Sequence, residues 1–141
     1  SENVSNGSFI TFFWGILDNV SKTIQYVNAG HNPPLLIRDN KITKLKKGGM
    51  ILGVMKTIIP YEAEKIELQS NDKIVLFTDG ITEAMDINDN EYSDERLEEL
   101  SVSIESDESE IFLDKIIDDV KQYTVNAEQS DDITCLIISV K

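Results

Sequence analysis

The stretch Lys73–Gly80, KIVLFTDG, decides how the rest of the chain is read. Ile74, Val75, Leu76 and Phe77 form an unbroken apolar run, the composition of a strand covered on both faces. Asp79 and Gly80 end that run, and beyond them the texture turns helical. Ile81–Met85 suits a short helical turn. Ser93–Leu100 (SDERLEEL) opens on a good N-cap residue and continues in strong helix formers. Across Ser109–Tyr123 the residues Leu113, Ile116, Ile117 and Val120 recur at helical spacing. That predicts an apolar stripe packed on a sheet, with Asp114, Asp118 and Lys121 facing outward. Ile133–Val140 (ITCLIISV) reads as a second buried strand.

Upstream of Lys73 the pattern is one of strands. Phe9–Asp18 (FITFFWGILD) is β-branched and aromatic, which predicts a strand buried on both faces with Trp14 and the phenylalanines in the core. Thr23–Asn28 alternates apolar and polar side chains, and the turn formers of Asp18–Lys22 join the two runs as a hairpin. Leu35–Arg38 and Ile42–Leu45 flank Asp39-Asn40 and predict a second hairpin. Gly48-Gly49 interrupts the pattern, Leu52-Gly53-Val54 follows, and Tyr61–Leu68 is an amphipathic strand leading to the turn Ser70-Asn71-Asp72. Strands first, helices late and a closing strand predict an α+β layered fold.

With 141 residues the chain fits one domain, 1–141, able to bury a core. Its net charge of −13 excludes nucleic acid as a natural partner, because phosphate backbones are bound by clustered Lys and Arg. The one basic cluster, Lys41, Lys44, Lys46 and Lys47, reads as the solvated face of a strand pair, or else as a docking site for an acidic partner. No apolar run reaches the roughly 18–20 residues of a membrane span, and no leader pattern opens the chain, so no membrane insertion is expected and the cytoplasm is the default address. Cys135, the single cysteine, lies in an apolar run and reads as a core thiol.

Two places set acids at the edge of a buried strand. Asp79 follows KIVLFT, and Asp131-Asp132 precede ITCLIISV. A carboxylate at a strand end is held rigidly yet can face a cleft, which suits a hard cation that takes oxygen ligands. Without a cation such acids raise one another's pKa, so their convergence would be unfavourable. The alternative at this point is plain turn chemistry: Asp-Gly commonly ends a strand, and Asp131-Asp132 can cap a loop.

The words FTDGITEA (Phe77–Ala84) and QSDDITCLII (Gln129–Ile138) resemble the two late motifs of the SpoIIE/RsbU-like branch of the type 2C serine/threonine phosphatases. FITFFWGILD, YVNAGHNPPLLI (Tyr26–Ile37), LGV (Leu52–Val54) and EYSDERL (Glu91–Leu97) stand in family-like order around them. The resemblance spans nearly the whole chain. It implies an antiparallel β-sandwich with flanking helices, N-terminally truncated to the last two-thirds of such a domain. It makes Asp79 and Asp131 metal ligands and catalytic residues, with Asp132 orienting Asp131 or a water on the metal. Gly80 joins the metal site by letting the backbone turn sharply beside the ion.

The reaction so implied is metal-dependent hydrolysis of a phosphoserine or phosphothreonine ester on a protein. Two ions, Mn²⁺ or Mg²⁺, would acidify a bridging water and screen the phosphoryl oxygens. The family's substrates are often regulatory proteins of the anti-anti-sigma type, and its catalytic domain commonly follows a sensor or receiver domain. The family pattern also begins with an upstream Asp in a Gly-containing turn. The nearest candidate, Asp18, lacks that glycine context, which implies a weakly active fragment.

His31, in NAGHNPP, offers a general acid or, alternatively, a side chain that fixes a Pro-rich turn. Asp86–Asn90 begins like a calcium-binding EF-hand loop but has Glu91 where Gly is needed and Leu97 where the bidentate Glu belongs. The rival functional class is a non-catalytic protein-interaction module, a degenerate phosphatase that only binds a partner.

Overall fold

Asp18 closes the first hairpin with its side chain: Oδ1 accepts the backbone N–H groups of Val20 (2.9 Å) and Ser21 (3.1 Å), and Lys22 completes the turn at φ 54°. The computed structural model describes residues 11–48, 63–128 and 132–141. In chain order its elements are β1 (Phe12–Asp18), β2 (Thr23–Ala29), β3 (Leu35–Arg38), β4 (Lys41–Lys44), β5 (Glu64–Glu67), β6 (Lys73–Phe77), α1 (Asp79–Thr82), α2 (Asp94–Ser103), α3 (Ser109–Tyr123) and β7 (Cys135–Ser139). They fall into two compact units, Ser1–Pro33 with Leu45–Gln69 and Pro34–Lys44 with Ser70–Lys141.

The first unit holds an antiparallel sheet ordered β1-β2-β5, with Phe12 opposite Ala29 and Thr23 opposite both Asp18 and Glu67. Ile24, Tyr26 and Ala29 are buried, as the alternation in β2 predicts. The expectation for β1 is corrected: Trp14, Ile16 and Leu17 are about half exposed (52, 51 and 48%). The reason is position in the sheet, since among the described residues β1 pairs with β2 alone and is an edge strand. Composition reports what a strand can bury, whereas neighbours decide what it does bury. Leu52-Gly53-Val54 and the first residues of the Tyr61–Leu68 strand lie outside the described residues.

The second unit holds the antiparallel sheet β4-β3-β6-β7. Asp39 and Asn40 both take left-handed φ (51° and 59°), the requirement of a two-residue type I′ turn, and so join β3 to β4. β6 lies between β3 and β7, which is why Ile74 and Val75 are fully buried and Phe77 nearly so. β7 is an edge strand among the described residues, and Leu136 is 55% exposed, so the closing strand is covered on one face only.

Three helices cover this sheet's core cluster. Ser93 caps α2 by accepting the Arg96 N–H, as its place in the sequence predicts. In α3 the fully buried residues are Phe112, Ile116 and Val120, a strict i, i+4, i+8 stripe, while Leu113 and Ile117 flank it half-buried. Asp114, Asp118 and Lys121 face outward as expected. The stripe joins Leu35, Ile37, Val75, Phe77, Ile81 and Leu97 in one cluster, and Cys135 packs against it. The α+β class with antiparallel sheets and late helices is therefore the one expected.

Candidate metal centre

β6 and β7 pair antiparallel as far as Phe77 opposite Cys135, and one step further the Thr78 N–H donates to the Thr134 carbonyl at 3.1 Å. The strand pair therefore delivers Asp79 and Asp132 to the same end of the sheet. The Thr78 hydroxyl accepts the Thr134 N–H (3.2 Å) and lies 3.4 Å from the Asp132 carbonyl oxygen, to which it donates. Gly80 is buried against the same backbone. A Cβ at Gly80 would fall onto the Asp132 carbonyl oxygen, 2.7 Å from its carbonyl carbon and 3.3 Å from Ile133 Cα. The glycine is needed here for close approach of two backbones.

Asp79 is the first residue of α1, and its backbone carbonyl accepts the Glu83 N–H at 2.8 Å. Its side chain is exposed, as is that of Asp132. Of the predicted site residues, Asp79, Gly80 and Asp132 come together through this backbone packing, and Asp131 lies outside the described residues. Among the described residues no three His, Cys, Asp or Glu side chains form a group able to hold a metal by themselves. The donor chemistry nonetheless fits a hard divalent cation: carboxylates and a backbone carbonyl at a strand end, with no soft ligand among them.

Sequence reasoning assigned no role to Asp94 or Thr78. Partial desolvation raises the Asp94 pKa; Lys44 lowers it, and the carboxylates of Glu95, Glu98 and Asp79 raise it further. Asp94 thus feels the charge of Asp79 across the start of α2. Its one signal in the sequence is its place in EYSDERL. Lys44 answers this acidic group by pairing with Glu98 at 2.8 Å.

The segment that leaves α1 is tied down on all sides. Tyr92 N–H donates to the Ala84 carbonyl (2.7 Å) and Ser93 N–H to the Thr82 carbonyl (2.8 Å). The Tyr92 hydroxyl donates to Asp119 on α3, Arg96 also reaches Asp119, and the Arg96 guanidinium lies over both the Tyr92 and Tyr123 rings. Tyr123 in turn donates to the carbonyls of Asn90 and Glu91 (both 2.9 Å). Asp86 spends its carboxylate inside the loop: Oδ1 accepts the N–H groups of Asn88 and Asn90, which holds its pKa below the usual carboxylate range. These bonds give Asp86 a turn role. A groove of about 620 Å³ beside it is lined by Met85, Ile87 and Ala127 together with Asp86, Asp89 and Glu128. Its three carboxylates would repel a phosphate, so the phosphoryl group is not expected there.

Two other candidates resolve as turn chemistry in the first unit. Asn28 donates to the carbonyls of His31 (3.0 Å) and Leu45 (3.2 Å) and accepts the His31 N–H, while the His31 ring contacts the Asn32 carbonyl. The turn at His31 is thus fixed by the Asn28 side chain through the His31 backbone. Asp18 has its pKa lowered by the N–H groups of Ser21 and Val20, so its carboxylate serves the hairpin.

The family model described as "Stage II sporulation protein E (SpoIIE)" matches residues 1–141. This chain belongs to the SpoIIE family. It stands in the RsbU-like branch of the type 2C phosphatases. It is 33% identical over 84 residues to the phosphoserine phosphatase RsbU of Bacillus subtilis, an alignment covering 58% of this chain and 25% of that protein. Protein IcfG of Synechocystis is 27% identical over 139 residues, which is 98% of this chain and 22% of IcfG. The chain thus spans about a quarter of the length of these curated relatives. Among solved structures, the Mn-presoaked phosphatase domain of the Bacillus subtilis cell-fate determinant SpoIIE superposes with a TM-score of 0.68 at 19% identity, over 92% of this chain and 56% of that one. That superposition supports the fold. No helix among the described residues is long and apolar enough to cross a membrane.

Proposed function

We propose that this chain carries the late half of the metal centre of a phosphoprotein phosphatase, with 1–141 forming one part of the catalytic domain. Asp79 and Asp131 are the metal ligands, and Asp132 orients Asp131. The observation that carries this reading is the contact of Gly80 with the Asp132 carbonyl, because it brings the TDG and DDIT segments to one end of the β6–β7 pair. A divalent cation held there, Mn²⁺ or Mg²⁺, supplies positive charge to the phosphoryl oxygens and acidifies water.

The reaction is hydrolysis of a serine or threonine phosphomonoester. Water forms the new P–O bond, the bond to the side-chain oxygen breaks, and the alcohol leaves with a proton. Asp79 and Asp131 contribute negative charge that cannot receive a doubly charged phosphate on its own, so these residues serve the reaction as cation holders. Gly80 and the rigid turn behind it keep Asp79 from drifting as charge moves. The proposed substrate is a phosphorylated regulatory protein of the anti-anti-sigma type, and the proposed address is the cytoplasm, with a sensor or receiver domain elsewhere in the full-length protein. RsbU, a phosphoserine phosphatase by name, supports the phosphoserine part of this reading.

The test is Mn²⁺-dependent release of phosphate from a phosphoserine protein by the full-length enzyme. An active enzyme whose Asp79→Asn variant is silent supports the reading. A full-length protein that binds the phosphoprotein yet never releases phosphate would instead establish the non-catalytic interaction module.

A further inference from the structure

We infer that Thr78 is a positioning residue of the metal centre, its hydroxyl holding the Asp132 backbone in register with the Asp79 turn. The inference rests on the proposed metal role of these segments and adds a residue to it. The ladder between β6 and β7 ends with Phe77 and Cys135. Beyond that point the two chains would be free to splay. Thr78 prevents this with three bonds: its N–H to the Thr134 carbonyl (3.1 Å), its hydroxyl accepting from the Thr134 N–H (3.2 Å), and the same hydroxyl donating to the Asp132 carbonyl (3.4 Å). A hydroxyl offers one donor and two acceptor sites, so both side-chain bonds coexist. The side chain thus adds two bonds to the last backbone bond between the two chains and reaches on to Asp132.

Position, not burial, is what the hydroxyl contributes. Thr78 is half-buried and Thr134 exposed, so water can satisfy the Thr134 N–H if the hydroxyl is removed. Removal therefore costs little stability, on the order of one ordinary hydrogen bond. The Asp132 carbonyl, however, sits against Gly80 with no slack. Loosening it lets the Asp132 backbone shift relative to the Asp79 turn. Outer partners of metal ligands act in this way, and their loss weakens metal binding far more than folding.

The experiment compares the full-length protein with its Thr78→Val, Thr78→Ala and Thr78→Ser variants. Mn²⁺ affinity is measured by calorimetry, amide exchange at Thr134 by NMR, and melting temperature without metal. Valine keeps the shape and removes the hydroxyl; serine keeps the hydroxyl. Thr78→Val and Thr78→Ala should weaken Mn²⁺ binding about tenfold or more, with faster Thr134 exchange and only a small change in melting temperature. Thr78→Ser should restore both readouts. Should Thr78→Val fail to fold, the alanine and serine pair gives the same comparison. Wild-type Mn²⁺ affinity in the valine or alanine variant overturns the role of Thr78 and leaves the phosphatase reading intact. A wild type that binds Mn²⁺ without hydrolysing phosphoserine overturns that reading, while Thr78 is still judged on affinity. A wild type that binds no Mn²⁺ overturns both.

Discussion

At Gly80 a methyl group would overlap the Asp132 carbonyl, so Gly80→Ala forces either α1 or the Asp132 backbone to shift. Thermal or urea unfolding should show a loss of about 1–3 kcal/mol, and Mn²⁺ binding should fall with it. Stability unchanged to within error would mean that the contact is looser than described. Cys135 gives a second prediction at this scale. Burial lifts its thiol from the ordinary 9.0 to about 11, so alkylation at pH 8 should run roughly a hundredfold slower in the folded protein than in urea. The folded state keeps that proton to higher pH than the unfolded chain. The contribution to stability is therefore complete below pH 9.0 and is lost as the pH rises through about 11. Equal alkylation rates in both states would place the thiol outside the core. The strand end before Asp79 and Gly80 was legible because an acid and a glycine closing an apolar run are a local signal. Thr78 was not, since the partners of its hydroxyl lie 54 and 56 residues away in the sequence.

Elements were legible wherever their cause is local. Asp39-Asn40 fixes its hairpin by turn chemistry, Ser93 caps its helix, and Ser109–Tyr123 is a helix with the bounds its pattern predicts. What failed was burial, which depends on partners that no local pattern reveals: β1 and β7 are edge strands among the described residues, and the buried α3 stripe starts at Phe112 where the expected one started at Leu113. The clamp of α3 on the segment after α1 was equally hidden, because it joins Tyr92 and Arg96 to Asp119 across 27 and 23 residues. Asp119→Ala removes the acceptor for both the Tyr92 hydroxyl and the Arg96 guanidinium. It should cost about 1–3 kcal/mol in denaturant unfolding, and a loss below the error of the measurement would show the clamp to be ornamental. Ser101 is the opposite case: its hydroxyl is buried on α2 without a hydrogen-bond partner among the described residues. Ser101→Ala should leave stability equal or higher by up to about 1 kcal/mol; a marked loss would reveal a bonded water or an unseen acceptor.

For the whole molecule, the proposed cation site links charge to stability. A chain of net charge −13 that gathers carboxylates at one sheet end gains stability when a cation binds the folded state alone. The order of family-like words along the sequence made the family visible before any coordinate, because the family match spans the same residues. The packing that unites them, Gly80 and Thr78 against Asp132, belongs to the folded chain. The most direct test is phosphate release from a phosphoserine protein by the full-length enzyme, with and without Mn²⁺, beside its Asp79→Asn variant. The account predicts hydrolysis that requires Mn²⁺ and falls by at least about a hundredfold in the variant. Hydrolysis that is indifferent to Mn²⁺, or an Asp79→Asn enzyme as active as the wild type, would contradict it.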